Sequence, residues 1–197
     1  MLRLPYPAVL ASRSPRRREL FGRLVESFDV EHPDVEEQFS TELSPEEIAR
    51  SLAAKKARAV AARRPDALVV AGDTVVALHR DPGDYEILEK PADASEAAEM
   101  LGKLSGRTHL VVTGVCLVWP GGKDVLSVCS QVTFAELTPE RIAEYVATGE
   151  PLDKAGAYGI QGHAKDFVER IEGSVTNVIG LPLEALEERL RRFERET

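Results

Sequence analysis

The apolar run Ala67-Leu68-Val69-Val70-Ala71-Gly72 constrains this chain most. Apolar side chains without alternation mark a strand buried on both faces, as in the centre of an open α/β sheet. The run ends at Asp73-Thr74, and Val75–His79 reads as a second strand. A carboxylate just beyond a buried central strand lies where open α/β sheets place their ligands. The other reading of Asp73 is an aspartate that caps a turn.

The second constraint is Leu10-Ala11-Ser12-Arg13-Ser14-Pro15-Arg16-Arg17-Arg18. It reads as the end of a strand (Ala8–Ala11) running straight into a helix. Ser14 suits the N-cap and Pro15 the first helical position. Arg16, Arg17 and Arg18 then fall in the first turn, at the positive end of the helix dipole, where helix stability favours Asp or Glu. Basic side chains beside free backbone N–H groups make Ser12–Arg18 a candidate anion site, with phosphate the obvious anion. A solvated basic turn is the bland reading of the same residues.

The rest of the chain alternates helices and strands. Helix 1 is expected from Pro15 to about Val25, with Leu20, Phe21 and Leu24 on one face, followed by a strand over Phe28–His32 and a carboxylate-rich loop, Pro33–Glu37. Ser44-Pro45-Glu46-Glu47 is a capping box that opens an Ala-rich helix to about Arg64. Within it Lys55 and Lys56 point about 100° apart, so at most one faces inward. A turn over Arg80–Asp84, a strand at Glu86–Leu88, the charged pair Glu89-Lys90-Pro91 and a helix over Asp93–Leu104 follow. Thr108–Trp119 and Asp124–Ala135 form a hairpin around Pro120–Lys123. A helix begins at Thr138, Phe167–Ile171 and Val175–Ile179 read as strands, and Leu183–Phe193 closes the chain with Leu183, Leu186 and Leu190 as core positions. Residues 149–162, GEPLDKAGAYGIQG, match neither GxGxxG nor GxxxxGK[ST]. Their glycines either let backbone approach a flat ligand or build a tight structural loop, and Gln161 offers an amide that can read a base edge.

Charge and composition exclude several classes. With 25 Lys and Arg against 33 Asp and Glu, the net charge is −8, the reverse of what a general nucleic-acid binder needs. Any polyanion it binds must be small and met locally. No stretch approaches the ~18 apolar residues of a membrane helix, so a cytoplasmic protein without membrane contact is expected. Cys116 and Cys129 lie on the two arms of the hairpin, where a disulfide is geometrically open, but two buried thiols fit a cytoplasmic chain better. His32, His79, His109 and His163 are too scattered to suggest a metal cluster.

What remains at turns and strand ends is chemistry for phosphate. Arg16, Arg17, Lys56 and Lys90 suit a polyphosphate. Glu37, Asp73 and Glu89 suit a divalent metal or a general base acting on water. A GxSxG elbow and an HExxH motif are absent. Metal-assisted hydrolysis of a phosphoanhydride uses all of these parts.

Five segments in order, LASRSPRR (10–17), AGDTVV (71–76), EKP (89–91), LSGRTH (104–109) and GEPLDKAGAYGIQG (149–162), resemble the Maf family of nucleoside triphosphate pyrophosphatases over nearly the whole chain. The resemblance implies one domain over 1–197. Its fold is α/β, a mixed elongated sheet flanked by helices with two lobes around a central cleft, similar to the inosine triphosphate pyrophosphatases, and commonly dimeric. It implies hydrolysis of a nucleoside triphosphate to the monophosphate and pyrophosphate with Mg²⁺ or Mn²⁺. Asp73 would be the proton acceptor that activates water. Arg16, Thr74 and Gln161 would match the substrate-selectivity positions. Ser12, Arg17, Lys56 and Lys90 would line the polyphosphate, with Glu37 and Asp73 at the metal. The YGIQG ending resembles the branch acting on dTTP and UTP. Two other readings are a nucleotide-binding regulator of septum formation without catalysis, and a phosphosugar or sugar-nucleotide enzyme using the same anion grip.

Overall fold

The computed structural model describes residues 1–40, 42–81 and 83–194. In chain order it holds β1 (Ala8–Ala11), α1 (Pro15–Phe21), β2 (Asp29–Glu31), α2 (Pro45–Ala61), β3 (Leu68–Asp81), β4 (Asp84–Leu88), α3 (Ala94–Leu104), β5 (Thr108–Trp119), β6 (Gly122–Phe134), α4 (Pro139–Ala147), β7 (Val168–Glu172), α5 (Val175–Ile179) and α6 (Leu183–Glu194), with short 3-10 turns between α4 and β7. The strands make one mixed sheet in the order β2-β1-β3-β5-β6-β7, with β4 on β3. β1 runs parallel to β2 and β3, while β3–β4 and β6–β7 are antiparallel. The α/β class with a mixed sheet and helices is the one implied by the sequence.

The elements fall into two compact units. One comprises Met1–Asp73, Thr113–Val128 and the chain from Gly180 on; the other comprises Thr74–Val112 and Cys129–Ile179. In the first, Ala8–Ala11 aligns with Leu68–Ala71, every residue buried, because neither strand has a polar side chain to offer water. Helix α2 covers these strands with Ala53, Ala57 and Val60, which join Val9, Ala11, Val69, Ala71 and Cys116 in one apolar cluster. Its capping box is complete: Ser44 Oγ accepts from Glu47 N–H at 3.3 Å and Ser44 N–H donates to Glu47 Oε2 at 2.9 Å. The helix comes so close to β5 that a Cβ on Gly114 would sit 2.2 Å from the Ala49 carbonyl oxygen. Only glycine allows that approach.

The second unit buries Val76, Leu78, Leu88, Leu101, Leu104, Val111 and Val132 around aromatic rings. Phe134 meets Tyr158 edge-on at 4.8 Å, and Tyr145 meets Phe167 at 5.1 Å.

Four details differ from expectation. Asp73-Thr74 does not end a strand: β3 runs through it unbroken for 14 residues. Val175–Ile179 is a short helix, not a strand. Ser174 Oγ accepts from Asn177 N–H, and the buried Asn177 amide donates to the Val111 carbonyl and Ser130 Oγ, so local capping and one anchored amide override the β propensity of Val and Ile. Cys129 is exposed, so the thiols are not both buried; neither forms a disulfide. Helix α1 stops at Phe21, four residues early, with Gly22 as its C-cap. Pro82, within the expected Arg80–Asp84 turn, lies outside the described residues.

Candidate active site

Within the first unit, α2 brings together two carboxylates far apart in sequence. Lys56 is the one polar residue on the helix's buried face, while Lys55, one position on, is exposed. Lys56 Nζ lies 2.5 Å from Asp73 Oδ1 and 2.8 Å from Glu37 Oε1. The Lys56 and Asp73 side chains are each only 9% exposed, whereas Glu37 is about half exposed. A buried charge must be paired, and here one ammonium serves two anions. Lys55 holds the same loop from outside by donating to the Glu36 carbonyl. The strand-end reading of Asp73 is replaced by a stronger one: a carboxylate buried mid-strand, held by a lysine.

Arg17 belongs to the same constellation. Its Nε donates to the Gly180 carbonyl at 2.8 Å, and its side chain lies across Gly72, where an added Cβ would stand 3.2 Å from Nε. Burial draws the guanidinium below its ordinary range. The charge of Asp73 opposes that shift, Arg16 reinforces it, and Glu37 opposes it. Arg17 therefore feels both carboxylates, and glycine at position 72 is explained by the arginine resting on it. Ser12 is buried and its Oγ accepts from Ser14 N–H; Ser14 Oγ in turn accepts from Arg17 N–H. Arg16 is half-buried beside them. With only seven residues in α1, the phosphate grip expected of Ser12–Arg18 must come mainly from arginine side chains rather than a helix dipole.

The remaining expected residues lie in the second unit. Thr74 is half-buried on β3, and Lys90 and Gln161 are exposed. Two contacts join the segments that carry them, and a third ties the loop of Gln161 to β5. The Gly156 N–H donates to the Glu89 carbonyl at 3.1 Å, next to Lys90. Gly156, at φ +67°, has no room for a Cβ because Val76 of β3 lies against it. Tyr158, in the same loop as Gln161, takes part in a buried hydrogen bond with His109 Nε2 at 2.7 Å.

The loop glycines thus answer the question left open by their spacing. Gly159 faces the Lys154 side chain (Cε at 2.8 Å) and Gly162 faces the Glu150 carboxylate (Oε1 at 2.1 Å from an added Cβ). Each abuts one of the loop's own side chains, so the glycines build the loop's internal packing. Glu150, Tyr145, His109 and His163 were not singled out as site residues from sequence. The available signal for His109 was the in–out alternation of β5, which places position 109 inside; its burial lowers the imidazole pKa to about 4.

No group of three or more His, Cys, Asp or Glu side chains arranged for a metal occurs among the described residues. No helix among them is long and apolar enough to cross a membrane.

Known proteins resemble this chain over nearly its whole length. A family model described as Maf-like protein matches residues 7–193. A dTTP/UTP pyrophosphatase of Koribacter versatilis is 47% identical over 184 residues, covering 93% of each chain. Those of Symbiobacterium thermophilum (48% identical, 94% of this chain and 93% of the relative) and Moorella thermoacetica (49%, 94% of each) are equally similar. Among solved structures, HAM1 proteins of Coxiella burnetii and Staphylococcus aureus share the fold, with TM-scores of 0.53 and 0.51 at 16% identity. They cover 95% and 94% of this chain, and 99% and 98% of their own chains are covered.

Proposed function

The chain belongs to the Maf family, and from that premise we propose that it is a nucleoside triphosphate pyrophosphatase. It would hydrolyse dTTP and UTP to the monophosphate and pyrophosphate. The observation that carries the reading is the buried Lys56–Asp73 pair joined by the half-exposed Glu37, with Arg17 beside it. It combines a proton acceptor, two hard oxygen ligands and two cations. Relatives at 47–49% identity are named for that activity.

A divalent cation fits this donor set. Mg²⁺ and Mn²⁺ prefer oxygen ligands, and Mg²⁺ is typically held by one or two carboxylates, with water and substrate phosphate completing the shell. Glu37 Oε1 and Asp73 Oδ1 already converge on one positive nitrogen. When bound there, the ion would neutralise phosphate charge.

The chain's own residues do the rest. Asp73, held in place 2.5 Å from Lys56 Nζ, takes the proton from the attacking water. The water oxygen bonds to the α-phosphorus, the α–β bridging bond breaks, and pyrophosphate leaves with that electron pair. Ser12, Arg16, Arg17, Lys56 and Lys90 bind the polyphosphate. Gln161 and Thr74, with Arg16, select the base. We read residues 1–197 as a single catalytic domain, a cytoplasmic homodimer as the family resemblance implies. Its partner is the small nucleotide, and its net charge of −8 disfavours nucleic acid.

The test is a panel of triphosphates with Mg²⁺ or Mn²⁺, assayed for pyrophosphate against orthophosphate. Pyrophosphate from dTTP and UTP is expected. Orthophosphate alone refutes α-attack, tight binding without turnover favours the regulator, and intact dTTP beside a cleaved sugar nucleotide favours the third reading. Asp73→Asn, which leaves Glu37 to pair Lys56, should lose roughly 10²–10⁴ in rate, the usual effect of removing a general base, and more than its loss of stability accounts for.

A further inference from the structure

The loop that carries Gln161 is closed by one side chain. Glu150 stands at its start, just after Gly149, whose φ of +73° turns the chain out of α4. Its carboxylate is largely buried, with 20% side-chain exposure. Oε1 accepts from the Tyr145 hydroxyl at 3.1 Å. Oε2 accepts from the His163 N–H at 3.2 Å and meets His163 Nδ1 at 2.9 Å. Burial alone would raise the carboxyl pKa, but the bonds from His163 and Tyr145 and the charge of Lys154 pull it below its usual value. The Glu150 backbone carbonyl accepts from Lys154 Nζ, whose stem lies along Gly159. Gly162 leaves the carboxylate its place, because any Cβ there would overlap it. Residue 150 therefore ties the far end of the loop, Gly162-His163, to the buried Tyr145 of α4. Gln161 is the residue immediately before that knot.

We propose that Glu150 is a positioning residue for nucleotide selection: its carboxylate fixes the backbone from which Gln161 meets the nucleobase. The inference rests on the reading of Gln161 as a base-contacting residue. An amide that must discriminate donors from acceptors needs its backbone held to a fraction of an ångström, and a loop with glycines at 156, 159 and 162 has little stiffness of its own. Three donors converging on two carboxylate oxygens supply that stiffness. Tyr145, itself locked edge-on against Phe167 at 5.1 Å, passes it from the core. Glu150 is placed to act through the loop alone and needs no contact with the reacting phosphorus.

Three variants test this: Glu150→Gln, His163→Ala and the double variant. Glutamine keeps the volume but turns one acceptor into a donor that faces donors. Losing hydrogen bonds to a charged group of this kind corresponds to roughly a tenfold effect or more. In Glu150→Gln, KM for dTTP should rise about tenfold with kcat within about twofold, and preference for dTTP over purine triphosphates should fall. His163 is exposed, so its alanine variant folds; it should show a smaller shift of the same kind, and the double variant should equal Glu150→Gln because both break one knot. Hydrogen exchange at the His163 amide should accelerate in Glu150→Gln. Unchanged KM and base preference overturn the proposal. So does an equal loss on every triphosphate with a lowered melting temperature, the signature of a scaffold. Unaltered His163 exchange also overturns it, and that readout holds even if wild-type protein cleaves no triphosphate, which would refute the activity instead.

Discussion

Replacing Lys56 by methionine removes one charge and leaves the aliphatic stem. The methionine still fills the space beneath Leu52 and Ala53 on the inner face of α2. What is lost is the ammonium 2.5 Å from Asp73 and 2.8 Å from Glu37. The two carboxylate oxygens, each bonded to that one nitrogen, then face each other at no more than about 5 Å, worth at least about 3 kcal/mol of repulsion at an effective dielectric of 20. Glu37 is half exposed and can turn to water, which removes much of that repulsion. Asp73 cannot turn away, and stranding one partner of a buried pair costs about 3–5 kcal/mol. A net loss of about 3 kcal/mol is expected, which lowers the melting temperature of a chain this size by roughly 6–12 °C. Scanning calorimetry with and without Mn²⁺ measures it, with Lys55→Met as the exposed control. Mn²⁺ should restore much of the loss in Lys56→Met, because Glu37 and Asp73 bind the cation in the lysine's place, and should do less for wild type. A variant as stable as wild type refutes the pairing argument. A destabilised variant indifferent to Mn²⁺ refutes the carboxylates as metal ligands.

Other perturbations probe separate parts. Gly114→Ala forces a methyl against the backbone of Ala49 at 2.2 Å, where neither side is a yielding side chain, so a loss of at least about 3 kcal/mol in chemical denaturation is expected. His109 is buried, and its pKa is lowered from 6.5 to about 4, so the unfolded chain binds the extra proton first. Stability is intact above pH 6.5 and falls between 6.5 and 4 by about 3 kcal/mol; His109→Gln should lack that acid limb of the stability–pH curve. Gln161→Glu replaces an amide donor by a carboxylate and should change the pyrimidine preference in the triphosphate panel, typically by tenfold or more where a buried base edge is left unpaired.

Reading the fold from sequence succeeded where one local signal decided the outcome. Ser44-Pro45-Glu46-Glu47 specifies its own cap, and the Ala67–Gly72 run has no other way to avoid water. Helix periodicity alone separates Lys55 and Lys56 by about 100°, and it is Lys56 that turns inward. Val175–Ile179 misled because the Asn177 anchor depends on Val111 and Ser130, distant in sequence. Asp73 was legible as a chemical group but not as a mid-strand residue, since its partner Lys56 pairs with it only through tertiary structure. Glu150 went unremarked for the same reason: its partners His163 and Tyr145 surround it only once the loop is folded.

The bond from Arg17 to the Gly180 carbonyl spans 163 positions of sequence. During synthesis at about 5–20 residues per second, the arginine waits on the order of 10–30 s for its acceptor to be made. Helix α6, which buries Leu186 and Leu190, arrives later still. A nascent chain, or a product truncated before Gly180, therefore carries the SRSPRR sequence without the contact that orients its last arginine, Arg17. On the proposed reading, the arginine grip on the polyphosphate is complete only once Gly180 has been made.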